Sequence, residues 1–216
     1  MAKYLIHAVP KRLWYVNEYL IPSMVAQGID VDNISVYTDE NRDGNLKACM
    51  YAFATVDDDL KGTWHLQDDV LICKDFRAIT EALDFGLVCG FSSALYDGPG
   101  RIGAVKAQDM WFSFPCIRIP NQYALNCSDF VLNDIIGNPV YREFWKDGVN
   151  DDWAFRMYVN TYRKDAMAIN LAPNLVEHVD YLIGGTANGK ERESQCRAQY
   201  WKDEDLVEQL AQNLLK

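Results

Sequence analysis

Apolar residues recur along the chain in two rhythms, one of period two and one of period 3.6. Lys3-Tyr-Leu-Ile-His-Ala-Val9 is apolar on both sides of an extended backbone, which predicts a strand in the middle of a sheet covered by helices. Leu13 to Gln27 follows helical spacing, with Pro22 expected to kink it and Gly28 to stop it. Ile34-Ser-Val-Tyr-Thr38 predicts a second short strand, and Asp39-Glu-Asn-Arg-Asp-Gly44 a polar turn. From Asn45 onward, Leu46, Cys49, Met50 and Phe53 fall at i, i+3, i+4 and i+7, one face of a helix. Trp64 and Leu66 then alternate with His65 and Gln67 in a third strand, which breaks at Asp68-Asp69 before the chain turns apolar again at Val70-Leu-Ile72. Strand, helix, strand, helix, strand predicts an α/β fold, Rossmann-like, with a mainly parallel central sheet and right-handed crossovers.

The second half is less regular. Asp75 to Leu83 predicts a helix with Phe76, Ile79 and Leu83 inward, and Gly86 to Phe91 a strand. Ser92 to Gly103, holding Asp97-Gly-Pro-Gly100, is expected to be a loop that rims a ligand site. The aromatics of Trp111 to Ile119 are assigned to the core rather than to a stacking wall. Asp129 to Ile136 predicts a short helix, and Pro139 starts another running to Trp145. After Gly148, Asn150 or Asp151 caps a helix with Trp153, Met157 and Tyr158 inward. Ala166 to Leu171 is a late strand closed by Pro173, with Leu175-Val-Glu-His-Val179 beyond it. The charged tail, about residues 190–216, carries Leu206, Leu210 and Leu214 at helical spacing, which suits packing or homo-oligomer contacts.

A chain of 216 residues with 49% hydrophobic content and no composition shift is expected to form one domain over residues 1–216. The net charge of −10 is spread along the chain, which argues against a grip on nucleic-acid phosphates. The N-terminus lacks the pattern of a signal peptide and no 18-residue apolar run occurs, so a cytoplasmic location is expected. The six cysteines show no C-x-x-C spacing and are expected to be reduced and mostly buried.

These elements locate the candidate chemistry. Ligands of open α/β sheets bind beyond the carboxyl ends of the strands. Pro10-Lys11-Arg12 follows the first strand, Asp39 the second, and Asp68-Asp69 the third. A carboxylate buried at a strand end costs several kcal/mol unless it is paired or binds a cation, so the acidic pair points to Mg²⁺ or Mn²⁺. Asp151-Asp152 is a second acidic pair, at a helix start, and His178 follows a late strand.

Together these residues resemble the GT-A fold glycosyltransferases, nucleotide-diphospho-sugar transferases, over roughly residues 3 to 185. His65-Leu-Gln-Asp-Asp-Val70 resembles the family's aspartate-rich metal motif, with adjacent aspartates in place of the strict spacing and Gln67 at its first position. The resemblance implies Mn²⁺ or Mg²⁺ on Asp69, with His178 completing the metal shell, and Gln67 and Asp68 beside a UDP- or GDP-sugar donor. It also implies that Pro10, Lys11 and Arg12 line the nucleotide, that Asp39 lies near its base or ribose, and that Asp152, with Asp151, serves as general base toward an acceptor hydroxyl. The helix N-terminus is expected to lower the Asp152 pKa. Short transferases of this kind occur in phage and bacterial surface modification. Two other readings of the same residues are a two-metal phosphoesterase or nuclease and a non-catalytic nucleotide-sugar binder. The donor sugar, the acceptor and the stereochemical outcome stay open.

Overall fold

Five strands run in one direction and two in the other across a seven-stranded sheet ordered β2-β1-β3-β7-β5-β8-β6. The structure is a computed structural model that describes residues 1–58, 61–91, 101–109, 112–141, 151–172, 174–180 and 182–183. The strands are β1 (Tyr4–Ala8), β2 (Ile34–Thr38), β3 (Thr63–Gln67), β5 (Leu87–Cys89), β6 (Arg101–Lys106), β7 (Cys116–Ile119) and β8 (Met167–Ala172). A separate antiparallel pair joins β4 (Val70–Ile72) to β9 (Val176–His178). The helices are α1 (Leu13–Tyr15), α2 (Ile21–Ala26), α3 (Asn45–Phe53), α4 (Phe76–Ala82), α5 (Asn121–Asp129) and α6 (Asp151–Tyr162).

Side chains of period two divide between two apolar layers, one on each face of the sheet. Tyr4, Ile6 and Ala8 of β1 and Trp64 and Leu66 of β3 join Tyr15, Leu20, Met24 and Phe76 in the first layer. Ile117 and Ile119 of β7 and Leu87 and Cys89 of β5 join Met50, Phe53, Phe155 and Tyr158 in the second. Helices therefore cover both faces, as the apolar character of β1 requires. The described cysteines are free and buried. Among the described residues no helix is long and apolar enough to cross a membrane.

Several expectations change in detail. The helical stretch around Pro22 runs on through a π turn at Val16–Leu20, and the wider register just before the proline accommodates its missing N–H and its ring. Gly28 ends the stretch at φ +82°, as expected of a C-terminal stop. The sheet is mixed, because the aromatic-rich stretch supplies β7, antiparallel to both of its neighbours. Residues 101–106, expected partly as loop, form β6 against β8. The predicted helix at 129–136 is the second half of a longer run that starts at Asn121 and continues as a π helix over Phe130–Ile135. Pro139 opens a 3₁₀ turn over Pro139–Tyr141, and the rest of the helix expected there lies outside the described residues. Phe112 and Phe114 lie in the core. The expectations for Asp97, Trp111, Trp145, Asn150, Pro173 and the tail from residue 190 fall outside the described residues.

On the α3 side of the sheet lie two neighbouring histidines. His7 Nε2 is 2.9 Å from His65 Nδ1, and Phe53 meets both rings edge-on. One imidazole must supply a lone pair to the other, so the hydrogen bond is lost if both are protonated. Burial pushes His7 down to about 4 and holds His65 well below 6.5. A base whose folded pKa is depressed contributes stability above its unfolded pKa, and that contribution is lost as the pH falls from 6.5 toward about 4. Urea unfolding of wild type and His7→Phe at pH 7, 6 and 5 should therefore show stability falling more steeply in wild type. The expected difference in slope is about 1.4 kcal/mol per pH unit below pH 6; parallel slopes would contradict a neutral His7.

Candidate metal centre

β1 lies between β2 and β3, so the chain leaves β1 to one side and returns to its other side, which makes the β1–β3 boundary the topological switch point. Ala8 pairs with Thr38 and His7 with Gln67, so Val9, Asp39 and Asp68 emerge side by side at one edge. The backbone N–H of Val9 donates to Asp68 Oδ2 at 2.7 Å. Arg12, on the 3₁₀ turn Pro10–Arg12, points inward and is only 4% exposed. Its Nη1 donates to Asp68 Oδ1 at 2.8 Å and to Asp69 Oδ2 at 2.7 Å. Pro10 and Lys11 are exposed on the same turn. Gln67 is half-buried and bonds through its N–H to Pro115 O at 3.3 Å.

The β4–β9 pair brings the second half of the centre into place. Val70 is opposite His178, and Val179 N donates to Asp69 O at 2.8 Å. His178 Nε2 lies 3.0 Å from Asp69 Oδ1, while Nδ1 lies 3.4 Å from Asp180 Oδ1. Asp69, His178 and Asp180 are buried, and one ligand atom from each lies within 4.8 Å of the others, so the group can hold a metal ion. Carboxylate and imidazole donors together suit Mn²⁺ and other first-row divalent ions. Asp68, Asp69 and Asp180 gather three carboxylates beside the guanidinium of Arg12 and the imidazole of His178. Burial opposes ionisation of Asp69, but the His178 hydrogen bond and the charges of His178 and Arg12 outweigh it and hold the carboxyl below its usual range. Burial and the Asp69 charge push Asp68 the other way, against the opposing pull of Arg12. The structure thus brings together Arg12, Asp68, Asp69 and His178 from the sequence-derived residues. Asp180 was missed; its signal is the His178-Val-Asp180 spacing, which in extended chain puts both side chains on one side.

Asp39 and the second acidic pair lie further along the same edge. Asp39 N donates to Ala8 O at 2.9 Å, and its carboxylate accepts N–H bonds from Asp43 at 2.9 Å and Gly44 at 3.3 Å. Asp39 therefore closes the turn in which Gly44, at φ +86°, starts α3. Asn45, the next residue, donates through Nδ2 to Asp151 Oδ1 at 3.0 Å. The buried stripe of α6 is Asp151, Ala154, Phe155, Tyr158 and Val159, while Trp153 and Met157 are only partly covered. Burial, reinforced by the Asp152 charge and offset in part by Asn45, pushes Asp151 up to about 7. Asp152 accepts the Trp153 N–H at 2.7 Å, yet its pKa is raised, the reverse of the helix-terminus expectation, because burial outweighs that bond.

Neither a protein-family model nor a curated protein matches the chain. Fold and centre define its class: an α/β protein with a mixed sheet and a buried Asp–His–Asp group at the switch point.

An acid whose folded pKa is raised contributes stability fully below its unfolded pKa, and that contribution is lost as the pH rises to about 7. Asp151→Asn keeps an acceptor for Asn45 and removes the buried charge. It should stabilise the protein by roughly 2–4 kcal/mol at pH 8 and by less at pH 5. Denaturant titrations at both pH values check this, and a loss of stability at pH 8 would contradict the buried-charge account.

Proposed function

We propose that the protein is a metal-dependent glycosyltransferase of the GT-A kind, moving a sugar from a nucleotide-diphosphate donor to a hydroxyl acceptor. The observation that carries this reading is the Asp69–His178–Asp180 group beside Arg12, at the strand ends where α/β sheets bind nucleotides. Asp69 and His178 would hold Mn²⁺ or Mg²⁺, with Asp180 close to the other imidazole nitrogen. A divalent ion held there supplies Lewis-acid stabilisation to the diphosphate as it leaves. Lys11 and Arg12 add cationic donors from the turn after β1, where Pro10, Gln67 and Asp68 complete the nucleotide side and Asp39 fixes the neighbouring turn. Asp152, partly exposed at the start of α6, takes the acceptor proton, and its raised pKa brings it nearer to neutral pH. Asp151 lies beneath it. The Rossmann-like mixed sheet is compatible with this reading.

Against a two-metal phosphoesterase, the described residues hold a single group of metal-ligating side chains, and Asp151 and Asp152 are not part of it. A one-metal centre suits diphosphate binding better than paired-ion hydrolysis.

Thermal unfolding with Mn²⁺ and a panel of UDP, GDP and their sugars tests the reading. A nucleotide at 100 times its Kd should add about 2.7 kcal/mol of stability in wild type. The gain should vanish in Asp69→Asn. Absence of any shift with every nucleotide would sink the proposal.

Asp152→Asn separates binding from chemistry. Calorimetric binding of UDP with Mn²⁺ should be preserved, while UDP release from the sugar donor should fall by roughly 10²-fold or more. Equal loss of binding in Asp69→Asn and Asp152→Asn would contradict the two roles.

A further inference from the structure

We propose that Arg12 is a resident counter-cation of the metal centre, traded at Asp69 for the divalent ion and then turned toward the anionic donor. The inference rests on the metal-dependent reading above and adds an order to it, metal before nucleotide.

The geometry that points to this exchange is the sharing of one carboxylate. Asp69 presents Oδ2 to Arg12 Nη1 at 2.7 Å and Oδ1 to His178 Nε2 at 3.0 Å. A divalent ion held by Asp69 and His178 would therefore sit on the same carboxylate as a guanidinium, in a place where Arg12 is 4% and Asp69 5% exposed. Like charges that close, with little water between them, repel strongly. The guanidinium has a second anchor that survives the exchange: Asp68 Oδ1, at 2.8 Å, on a carboxylate whose other oxygen is tied to Val9 N at 2.7 Å. Arg12 can thus release Asp69 and pivot about Asp68. The turn that carries it follows β1 directly, at the end of the strand where a nucleotide diphosphate would lie, and a planar guanidinium is suited to diphosphate oxygens. Asp68, with both oxygens engaged, is in this account a positioning residue for Arg12 and not a metal ligand, which leaves Asp69 as the acidic-pair member that meets the ion.

The exchange makes an unusual demand: deleting a cation from the site must strengthen metal binding while weakening nucleotide binding. Mn²⁺ affinity is measured on the full chain by titration calorimetry or by the free-Mn²⁺ electron paramagnetic resonance signal, for wild type and Arg12→Gln. UDP affinity is then measured at saturating Mn²⁺. Arg12→Gln should bind Mn²⁺ about tenfold or more tightly than wild type, and UDP about tenfold or more weakly. Mn²⁺ binding that is equal or weaker in Arg12→Gln, with wild type binding normally, overturns the exchange and leaves the metal reading standing. Failure of wild type to bind Mn²⁺ removes the metal reading, and the exchange with it. Should Arg12→Gln not fold, wild type carries the test through arginine-specific modification with phenylglyoxal and peptide mass mapping. Arg12 should be protected without metal, reactive with Mn²⁺, and protected again with Mn²⁺ and UDP. Reactivity that does not change on adding Mn²⁺ overturns the exchange.

Discussion

Nη1 of Arg12 reaches Asp68 and Asp69 at once, and the rest of the centre depends on that sharing. Adjacent carboxylates buried to this degree repel each other and lose their hydration, a combined cost of several kcal/mol that a protein accepts only with a compensating charge in place. Arg12 supplies it from a turn that begins two residues after β1 ends. The compensation is partial, since Asp180 adds a third carboxylate close to His178. A site with residual negative charge and an imidazole facing it can hold a cation, and the small β4–β9 sheet sets His178 against Asp69. Local structure and site chemistry are here one arrangement: the Val70–His178 pairing that extends the backbone ladder is also what sets the imidazole.

The parts of this fold that the sequence showed clearly are those with regular apolar spacing. The β1, β2, α3 and β3 stretches were legible because their apolar spacing is regular and their breaks fall at Pro10, Gly44 and Asp68. The antiparallel strand β7 was hidden because it is four residues long and carries a buried charge, Arg118, between Ile117 and Ile119. Arg118 in particular reads as surface, yet it lies under Gly62, where any Cβ would collide with it, and donates to Asp84 at 2.8 Å. The face of α6 was misread for a related reason. Ranking by size favours Trp153 and Met157, while the stripe the fold buries starts with a carboxylate, Asp151, and includes the small Ala154. A pattern search that treats charge as exterior cannot find a stripe with an aspartate on it.

The candidate site divides in the same way. Strand ends are legible, so the strand pattern alone places Arg12, Asp39, Asp68 and Asp69 at one edge. Which of them touch was not legible, because Arg12 and Asp68 are 56 residues apart and nothing local distinguishes an inward from an outward guanidinium. The exposed Lys11 and the buried Arg12 are neighbours with the same charge; the turn geometry alone separates their roles.

What joins the two acidic groups is a relay of hydrogen bonds that uses backbone and side-chain groups in turn. Asp68 is held by Val9 N; Ala8 O, one residue earlier, holds Asp39 N; Asp39 holds the N–H of Gly44; and Asn45, next in the chain, holds Asp151. Every link lies at or just beyond the carboxyl end of β1, β2 or β3, or at the start of α3 or α6. The turn after β1 that carries Arg12 is thus tied to the same strand ends that position Asp39. Between Asp39 and Asp151 the relay passes through the Asp39 carboxylate and the Asn45 side-chain amide. That amide is also what partly offsets the burial of Asp151, so the mechanical link and the electrostatic tuning of the second acidic pair reside in the same residue, Asn45. A carboxyl raised to about 7 at one end of such a chain, and a group that can hold a metal ion at the other, give the edge of this sheet two chemically different stations.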